Sequence, residues 1–170
     1  MRRFRRLLLI LGILGGAVLM AAAPASASVV LDGSFSTAVT KPTFVPCAPG
    51  TECGTIQLVG LGVAQWVYAF GATFEPHGRC FDVDGTLTLT LQSDDSTISG
   101  PLTGLFCPRP SGTGHSHSGA ISYGNPFVET DSVQFSGGTG QFAGLSGAAS
   151  FDTFSAGARF TGTLTGSLHG

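Results

Sequence analysis

Apolar and polar residues alternate one by one along much of the chain, most clearly from Phe81 to Leu91. Leucine and valine occupy one side of this segment, and aspartate and threonine occupy the other. Because successive side chains of a β-strand point to opposite faces, this period of two predicts a strand with one buried face. The same pattern returns from Ala158 to Leu168, which predicts another long strand near the C-terminus.

Other stretches of the chain show the same spacing. Between Ile56 and Phe74 the even positions include Leu58, Trp66, Tyr68 and Phe70, and this strand spacing predicts a strand across the region. Further strands are expected near residues 29–39, 98–106, 120–123, 127–135 and 148–154. About eight strands, without a helical pattern longer than one turn, predict an all-β barrel or sandwich. Glycines within strands often mark the bends of a barrel, so we favour an antiparallel barrel of about eight strands. The glycines in question are Gly60, Gly62, Gly85, Gly100 and Gly104.

The segments on either side of Ser93–Ser96 are expected to form a hairpin, because aspartate and serine favour a turn there. Folding the chain at the middle of this turn places Leu91 opposite Ile98 and makes Cys80 and Cys107 diagonal neighbours. A shift of two residues keeps both buried faces and places the two cysteines directly opposite each other. A shift of one residue would turn the leucines outward. The first two registers therefore remain open.

The N-terminus departs from the alternating pattern. Four arginines within the first six residues precede an apolar run from Leu7 to Ala23, and small residues continue to Ala27. Such a charged start, apolar centre and small-residue site are typical of a secretory signal peptide. The alternative is a transmembrane anchor, because the run is close to the shortest length that crosses a bilayer. We predict cleavage between Ala27 and Ser28, which leaves a signal peptide at 1–27 and a single domain at 28–170.

Removal of this segment would also change the charge of the protein. Four basic residues would remain in the domain against all ten acidic residues. Proteins that bind nucleic acids or anionic lipids through electrostatics carry clustered lysine and arginine, and this domain has none. The sequence therefore predicts a secreted protein, extracellular or in the cell envelope, with no nucleic-acid partner and no membrane span after processing.

The cysteines are even in number and lie in a chain that is expected to be exported, which favours disulfides. Cys47 and Cys53 flank a short loop rich in turn residues, so we expect them to form one bridge. The predicted hairpin brings Cys80 and Cys107 together as the second bridge. A zinc site is the alternative, but gaps of five and 26 residues between the cysteines differ from those of zinc ribbons.

The most distinctive stretch of the sequence is GGTGQFAG at 137–144, which is followed by Gly147. It lacks the Gly-Lys-Ser/Thr of a phosphate loop and the βαβ context of a dinucleotide site, so no cofactor is predicted. From the residues alone, it is a glycine-rich connection in which Phe142 anchors one helical turn to the core. Together with the alternating strand that follows, this motif resembles the dirigent and allene oxide cyclase-like barrel superfamily, especially its small secreted bacterial relatives. The motif residues are Gly137, Gly138, Thr139, Gly140, Phe142 and Gly144.

This resemblance implies an eight-stranded antiparallel barrel with a central cavity, often in a homo-oligomer. Plant dirigent proteins steer the coupling of phenoxy radicals, and allene oxide cyclases close a ring in an oxidised fatty acid. The resemblance covers about residues 135–168, and the catalytic acidic and basic residues of the plant families have no matching positions here. It therefore implies the fold and a hydrophobic small-molecule partner, while catalytic residues stay unknown.

Aromatic side chains form the first candidate site. Trp66, Tyr68, Phe70 and Phe74 share one face of a predicted strand. Core packing is the ordinary explanation of such a face. The functional interpretation is the wall of a ligand cavity within the barrel.

Histidines and carboxylates provide the other candidates. His115 and His117 have the spacing of two metal ligands on a strand, but they lie in a glycine- and serine-rich segment, so we favour a solvated loop and predict no metal. Glu75 and His77 could pair as acid and base. Glu129 and Asp131 could face either the lumen or solvent. No pattern unites a nucleophile, a base and an orienting group.

Three functions are consistent with these features. The first is a non-catalytic small-molecule binder or an envelope-associated interaction protein, and the second is a dirigent- or cyclase-like enzyme or radical-coupling auxiliary. The third is a carbohydrate-binding module. A lumen without titratable groups would favour the binder. A carboxylate or arginine buried in the lumen would favour the enzyme or auxiliary, and an exposed aromatic strip would favour the carbohydrate-binding module.

Overall fold

A computed structural model describes residues 27–38, 47–109, 126–156 and 159–170. These residues form a closed barrel in which each antiparallel strand pairs with the next, and the last strand pairs with the first. No helix in the described ranges is long and apolar enough to cross a membrane. The predicted all-β barrel is thus confirmed. Its strands are β1 (Ser28–Ala38), β2 (Thr51–Leu58), β3 (Gly62–His77), β4 (Cys80–Leu91), β5 (Thr97–Pro108), β6 (Phe127–Ser136), β7 (Ser146–Ala156) and β8 (Arg159–His169).

The strand that we expected across residues 56–74 is two strands. A tight turn separates β2 from β3, and Gly60 and Gly62 adopt φ angles of 77° and 90° there. Gly60 supplies left-handed backbone to this turn and Gly62 is the first residue of β3, so our placement of Gly60 inside a strand was wrong. The strand predicted at 120–123 lies outside the described residues.

The β4–β5 hairpin adopts the second of the two registers that the sequence left open. Leu89, rather than Leu91, lies opposite Ile98. The centre of the turn lies one residue closer to the N-terminus than we assumed, because the Leu91 N–H donates to the carbonyl of Ser96 over 2.9 Å. Asp95 takes the left-handed conformation within this turn, with φ of 57°. The turn therefore shifts the pairing by two residues without changing which face is buried.

Both predicted disulfides are present. Cys80 and Cys107 are joined with their Cα atoms 4.2 Å apart, and Cys47 and Cys53 with theirs 5.9 Å apart. The first bridge ties β4 to β5, and the second ties β2 to the residues that precede it. No cysteine within the described ranges is free.

The inward faces of the strands form a single core. At its centre Phe35 packs on Trp66 with ring centroids 5.1 Å apart, and Phe151 lies 5.5 Å from the same indole. The β2–β3, β4–β5 and β6–β7 connections share one end of the barrel, which we call the closed end. The other end, where β3 turns into β4, we call the open end.

The glycine-rich motif covers the closed end. Gly140–Phe142 forms one turn of 3-10 helix, and the Phe142 side chain is fully buried. The Gln141 backbone N–H donates to the hydroxyl of Ser96 over 2.9 Å, which fastens the motif to the β4–β5 turn. The predicted anchoring role of Phe142 is confirmed, and the motif lies at the end of the barrel opposite the cavity described next.

Candidate functional site

A cavity of about 230 Å³ lies at the open end of the barrel. This volume is below the roughly 300–1,000 Å³ of drug-sized ligand sites, so it suits a molecule about as large as one substituted ring. The walls carry aromatic rings and carboxyl groups. The rings are those of Tyr68, Phe70, Phe74, Phe106 and Phe127, and the carboxyl groups are those of Glu52, Asp84 and Glu129.

A bulge in β3 shapes one wall of this cavity. The ladder between β3 and β4 is regular up to Phe70 and resumes at Phe74, where three residues of β3 oppose Asp84 alone. The Asp84 carboxylate accepts a hydrogen bond from the N–H of Thr73 over 2.5 Å, which satisfies a backbone group that the bulge leaves unpaired. Because the bulge adds two residues to β3, the alternation of faces is preserved, and Phe70 and Phe74 both line the cavity. Their side chains are 44% and 45% exposed.

The predicted aromatic face therefore divides into two parts. Tyr68, Phe70 and Phe74 line the cavity, as the functional interpretation expected. Trp66 lies deeper and packs among the rings of the core, as the structural interpretation expected.

Tyr68 is held at the floor of the cavity. Its ring lies over Gly85 of the neighbouring strand, where a Cβ atom would overlap it. Its phenol donates a long hydrogen bond of 3.4 Å to the backbone carbonyl of Asp84. Burial raises the pKa of this phenol far above its ordinary value, and the nearby carboxyl groups of Glu129 and Asp131 add to the rise. Tyr68 therefore stays a neutral hydroxyl.

Carboxyl groups enter the lumen from opposite walls. Glu129 and Asp131 lie on β6 and are 6% and 2% exposed, and Glu52 lies on β2 and is 8% exposed. On β6 the two acids continue a row of inward-facing residues that includes Phe127 and Val133. The structure thus places Glu129 and Asp131 in the lumen rather than in solvent. Sequence reasoning missed Glu52, although it shares the parity of the buried residues Ile56 and Leu58 on β2.

The environment of Glu129 favours its protonated form. Burial raises the pKa of this carboxyl group to about 9, and the charges of Asp131 and Glu52 add to the rise. The hydroxyls of Thr153 and Tyr68 lie near enough to offset part of the effect. The Thr153 hydroxyl nevertheless makes no hydrogen bond of ordinary geometry with any described residue. At neutral pH Glu129 is thus a neutral acid that can donate a proton into the cavity.

Asp131 is buried against the glycine of a neighbouring strand. A Cβ atom at Gly104 would overlap its carboxyl group, so the missing side chain makes room for the acid. Burial raises the pKa of Asp131 to about 7, and the charges of Asp152 and Glu52 add to the rise. Neither carboxyl oxygen has a hydrogen-bond partner among the described residues, and the same holds for Nε1 of Trp66. Such groups are rare in folded proteins and cost about 1–3 kcal/mol each, which leaves the lumen with unused hydrogen-bonding capacity.

The other predicted residues do not join this cluster. His77 is exposed and lies 3.2 Å from the carboxylate of Asp82, so it pairs with that residue rather than with Glu75. His115 and His117 lie outside the described residues. Within the described ranges, no three side chains of metal-ligating type converge.

Comparisons of the chain with protein-family models, curated proteins and solved structures found no match. Barrels of this kind serve many unrelated functions, so the fold alone does not assign a family. The resemblance to the dirigent and allene oxide cyclase-like superfamily therefore stays a prediction.

Proposed function

We propose that this barrel binds a small, largely hydrophobic molecule in the open-end cavity, and that the lumen carboxyl groups contact the polar part of that molecule. The observation that carries this proposal is the position of Glu129, which is almost completely buried and faces a cavity walled by aromatic rings. Ligand sites commonly combine apolar walls with a few well-placed polar groups. Buried carboxyl groups lower stability unless they are paired, which supports a functional reason for them.

Acid–base catalysis on the bound molecule is the second candidate function. The presence of Glu129 and Asp131 in the lumen meets the criterion that favours a cyclase- or dirigent-like auxiliary over a passive container. A protonated Glu129 beside the neutral hydroxyl of Tyr68 could donate a proton to a substrate or position its oxygen. Rearrangement or ring closure without net redox change fits this pair of groups.

Two alternatives have less support. The exposed aromatic rings of the described residues lie in separate places, with Phe70 and Phe74 at the cavity and Phe154 on β7 beneath the guanidinium of Arg109. They do not form the strip that a carbohydrate-binding module would present. Secretion, including placement in the envelope, remains a proposal from the N-terminal sequence, and the two disulfides support an oxidising compartment.

Ligand-observed NMR with a library of single-ring compounds tests the binding function. We expect the wild-type protein to bind members of the library, and Phe74→Ala to weaken binding because a wall of the cavity is lost. The matched control is Val59→Ala, which also truncates an exposed apolar side chain but lies in the β2–β3 turn at the closed end. Equal binding by both variants would place the ligand elsewhere and contradict the proposal.

Native mass spectrometry of protein secreted by its own producer separates binding from catalysis. A retained organic mass would identify a natural ligand, which can then be incubated with the protein. Turnover by the wild type, lost in Glu129→Gln while the ligand still binds, would support the catalytic candidate. Recovery of the ligand unchanged would favour simple binding.

A further inference from the structure

The open-end cavity has a uniform chemical character. Its polar lining includes the carboxyl groups of Glu52, Asp84 and Glu129, and no described residue that lines it is lysine, arginine or histidine. A cavity of this kind offers negative charge and hydrogen-bond acceptors, so it disfavours an anionic ligand.

Asp131 adds to this character from behind the cavity wall. It is 98% buried, since only 2% of it is exposed, and both of its carboxyl oxygens lack a partner among the described residues. Its charge raises the pKa of Glu129, its neighbour two residues away on the inward face of β6. Like charges held in a medium of low dielectric are relieved most effectively by a positive charge placed between them.

The aromatic walls are suited to the same kind of ligand. The rings of Tyr68 and Phe70 lie with their centroids 4.9 Å apart, as do those of Phe106 and Phe127. Phe74 lies 6.2 Å from Phe106 and closes the group. Ring faces attract cations, and the attraction increases when water is excluded. Aromatic rings combined with carboxylates are the arrangement that recognises ammonium groups.

We propose that the ligand is a small organic cation, with an ammonium group between the lumen carboxylates and the aromatic rings and a single ring or short apolar body filling the cavity. This inference rests on the proposed binding function and names the ligand class. A neutral ligand would offer no positive charge to the buried carboxyl group of Asp131, both of whose oxygens lack a partner among the described residues.

Binding of such a cation is expected to release a proton. In the free protein Glu129 holds a proton at pH 7, and a bound ammonium group favours the carboxylate form. The change in proton affinity links binding to pH, and up to one proton should be released for each ligand bound near pH 7. The titratable groups that act on Glu129 are Glu52 on β2, Tyr68 on β3 and Asp131 on β6. Asp84 on β4 lines the same cavity, and Asp152 on β7 acts on Asp131.

Isothermal titration calorimetry with three matched compounds tests the inference. Benzyltrimethylammonium and benzylamine are cations at pH 7, and benzyl alcohol is a neutral molecule with the same ring. We expect each cation to bind at least about tenfold more tightly than the alcohol, since charge pairing and cation–π contact both favour it. Repeating the titration in phosphate and in Tris measures the released proton, because the two buffers differ in their enthalpy of ionisation.

Glu129→Gln is the informative variant, with Glu75→Gln as its matched control. The first change should reduce the preference for the cations to less than about threefold and abolish proton release, because the amide cannot ionise. The control changes an exposed glutamate outside the cavity and should leave both quantities unaltered. If Glu129→Gln does not fold by far-UV circular dichroism, the Glu52→Gln variant provides the same comparison on the opposite wall.

The outcomes separate the inference from the proposed function. Binding of benzyl alcohol as tightly as the cations, or unchanged preference in Glu129→Gln, would overturn the cation assignment and leave the binding cavity standing. Failure of all three compounds to bind at millimolar concentration, together with no hits in the ring library, would overturn both.

Discussion

The ionisation of Glu129 should make the stability of the barrel depend on pH, and Glu129→Gln should remove that dependence. The folded pKa of this group is raised from its ordinary value of 4.5 to about 9. The folded protein therefore binds the proton more tightly than the unfolded chain does. The associated stability is fully present below about pH 4.5 and is lost as the pH rises from there towards about 9.

The size of the effect follows from the proton that folding takes up. At pH 7 the unfolded glutamate is ionised, and protonating it from an ordinary pKa of 4.5 costs about 3 kcal/mol at 1.36 kcal/mol per pH unit. Glutamine has the same shape and carries no such cost. Glu129→Gln should therefore stabilise the protein by about 3 kcal/mol at pH 7, or raise Tm by roughly 10 °C for a domain of this size. At pH 4 the gain should vanish.

Thermal unfolding followed by circular dichroism at pH 4 and pH 7 checks this expectation. The wild type, Glu129→Gln and the exposed control Glu75→Gln should be compared in the same buffers, and the control should match the wild type at both pH values. A Glu129→Gln variant that is equally destabilised at both pH values would refute the reasoning. Such a result would mean that the ionisation of Glu129 is not linked to folding, whereas destabilisation at pH 7 alone would mean that Glu129 is ionised and paired in the folded protein. Stabilisation combined with weaker ligand binding would mark Glu129 as a residue kept for function at the expense of stability.

Three further changes test the framework of the barrel. Replacing both cysteines of the Cys80–Cys107 bridge by serine should lower the free energy of unfolding by about 3–4 kcal/mol, and removing the Cys47–Cys53 bridge should lower it by about 2 kcal/mol, because the first bridge closes a longer loop. Denaturant titration measures both losses, and a larger loss for the Cys47–Cys53 bridge would contradict this expectation. Gly100→Ala should destabilise the protein by about 1–3 kcal/mol or more because its Cβ atom would overlap the main chain of β6, whereas Ser99→Ala on the other face should have little effect in the same titration. Phe142→Ala should lower the free energy of unfolding by about 3–5 kcal/mol, because a buried ring at the closed end is lost. The folded variant should keep the affinity of the wild type for ring compounds. A loss of that affinity would link the closed end to the site.

Much of the fold could be predicted because a period of two in hydrophobicity determines which face of a strand is buried. The same period could not decide between hairpin registers that differ by two residues, because both keep Leu89 and Leu91 inward. The division at Gly60 was missed because the parity of the large residues continues unbroken across the turn.

The candidate site was harder to predict. Glu129 and Asp131 share the parity of Phe127 and Val133, so alternation alone would have placed them in the lumen. Carboxylates are usually exposed, and that general preference opposed the pattern. Glu52 likewise shares the parity of Ile56 and Leu58, but its approach to β6 depends on closure of the barrel rather than on nearby sequence.

The ionisation state of Glu129, with and without ligand, tests the central claim most directly. The chain contains three glutamates, so ¹³C labelling of glutamate carboxyl carbons gives a simple spectrum that Gln substitutions can assign. We expect the Glu129 carbon to report a protonated acid at pH 7, to titrate at about pH 9, and to change to the carboxylate position when benzylamine is added. A carbon that reports an ionised carboxylate at pH 7 and does not respond to any ring compound would contradict the proposal that this cavity is a binding site.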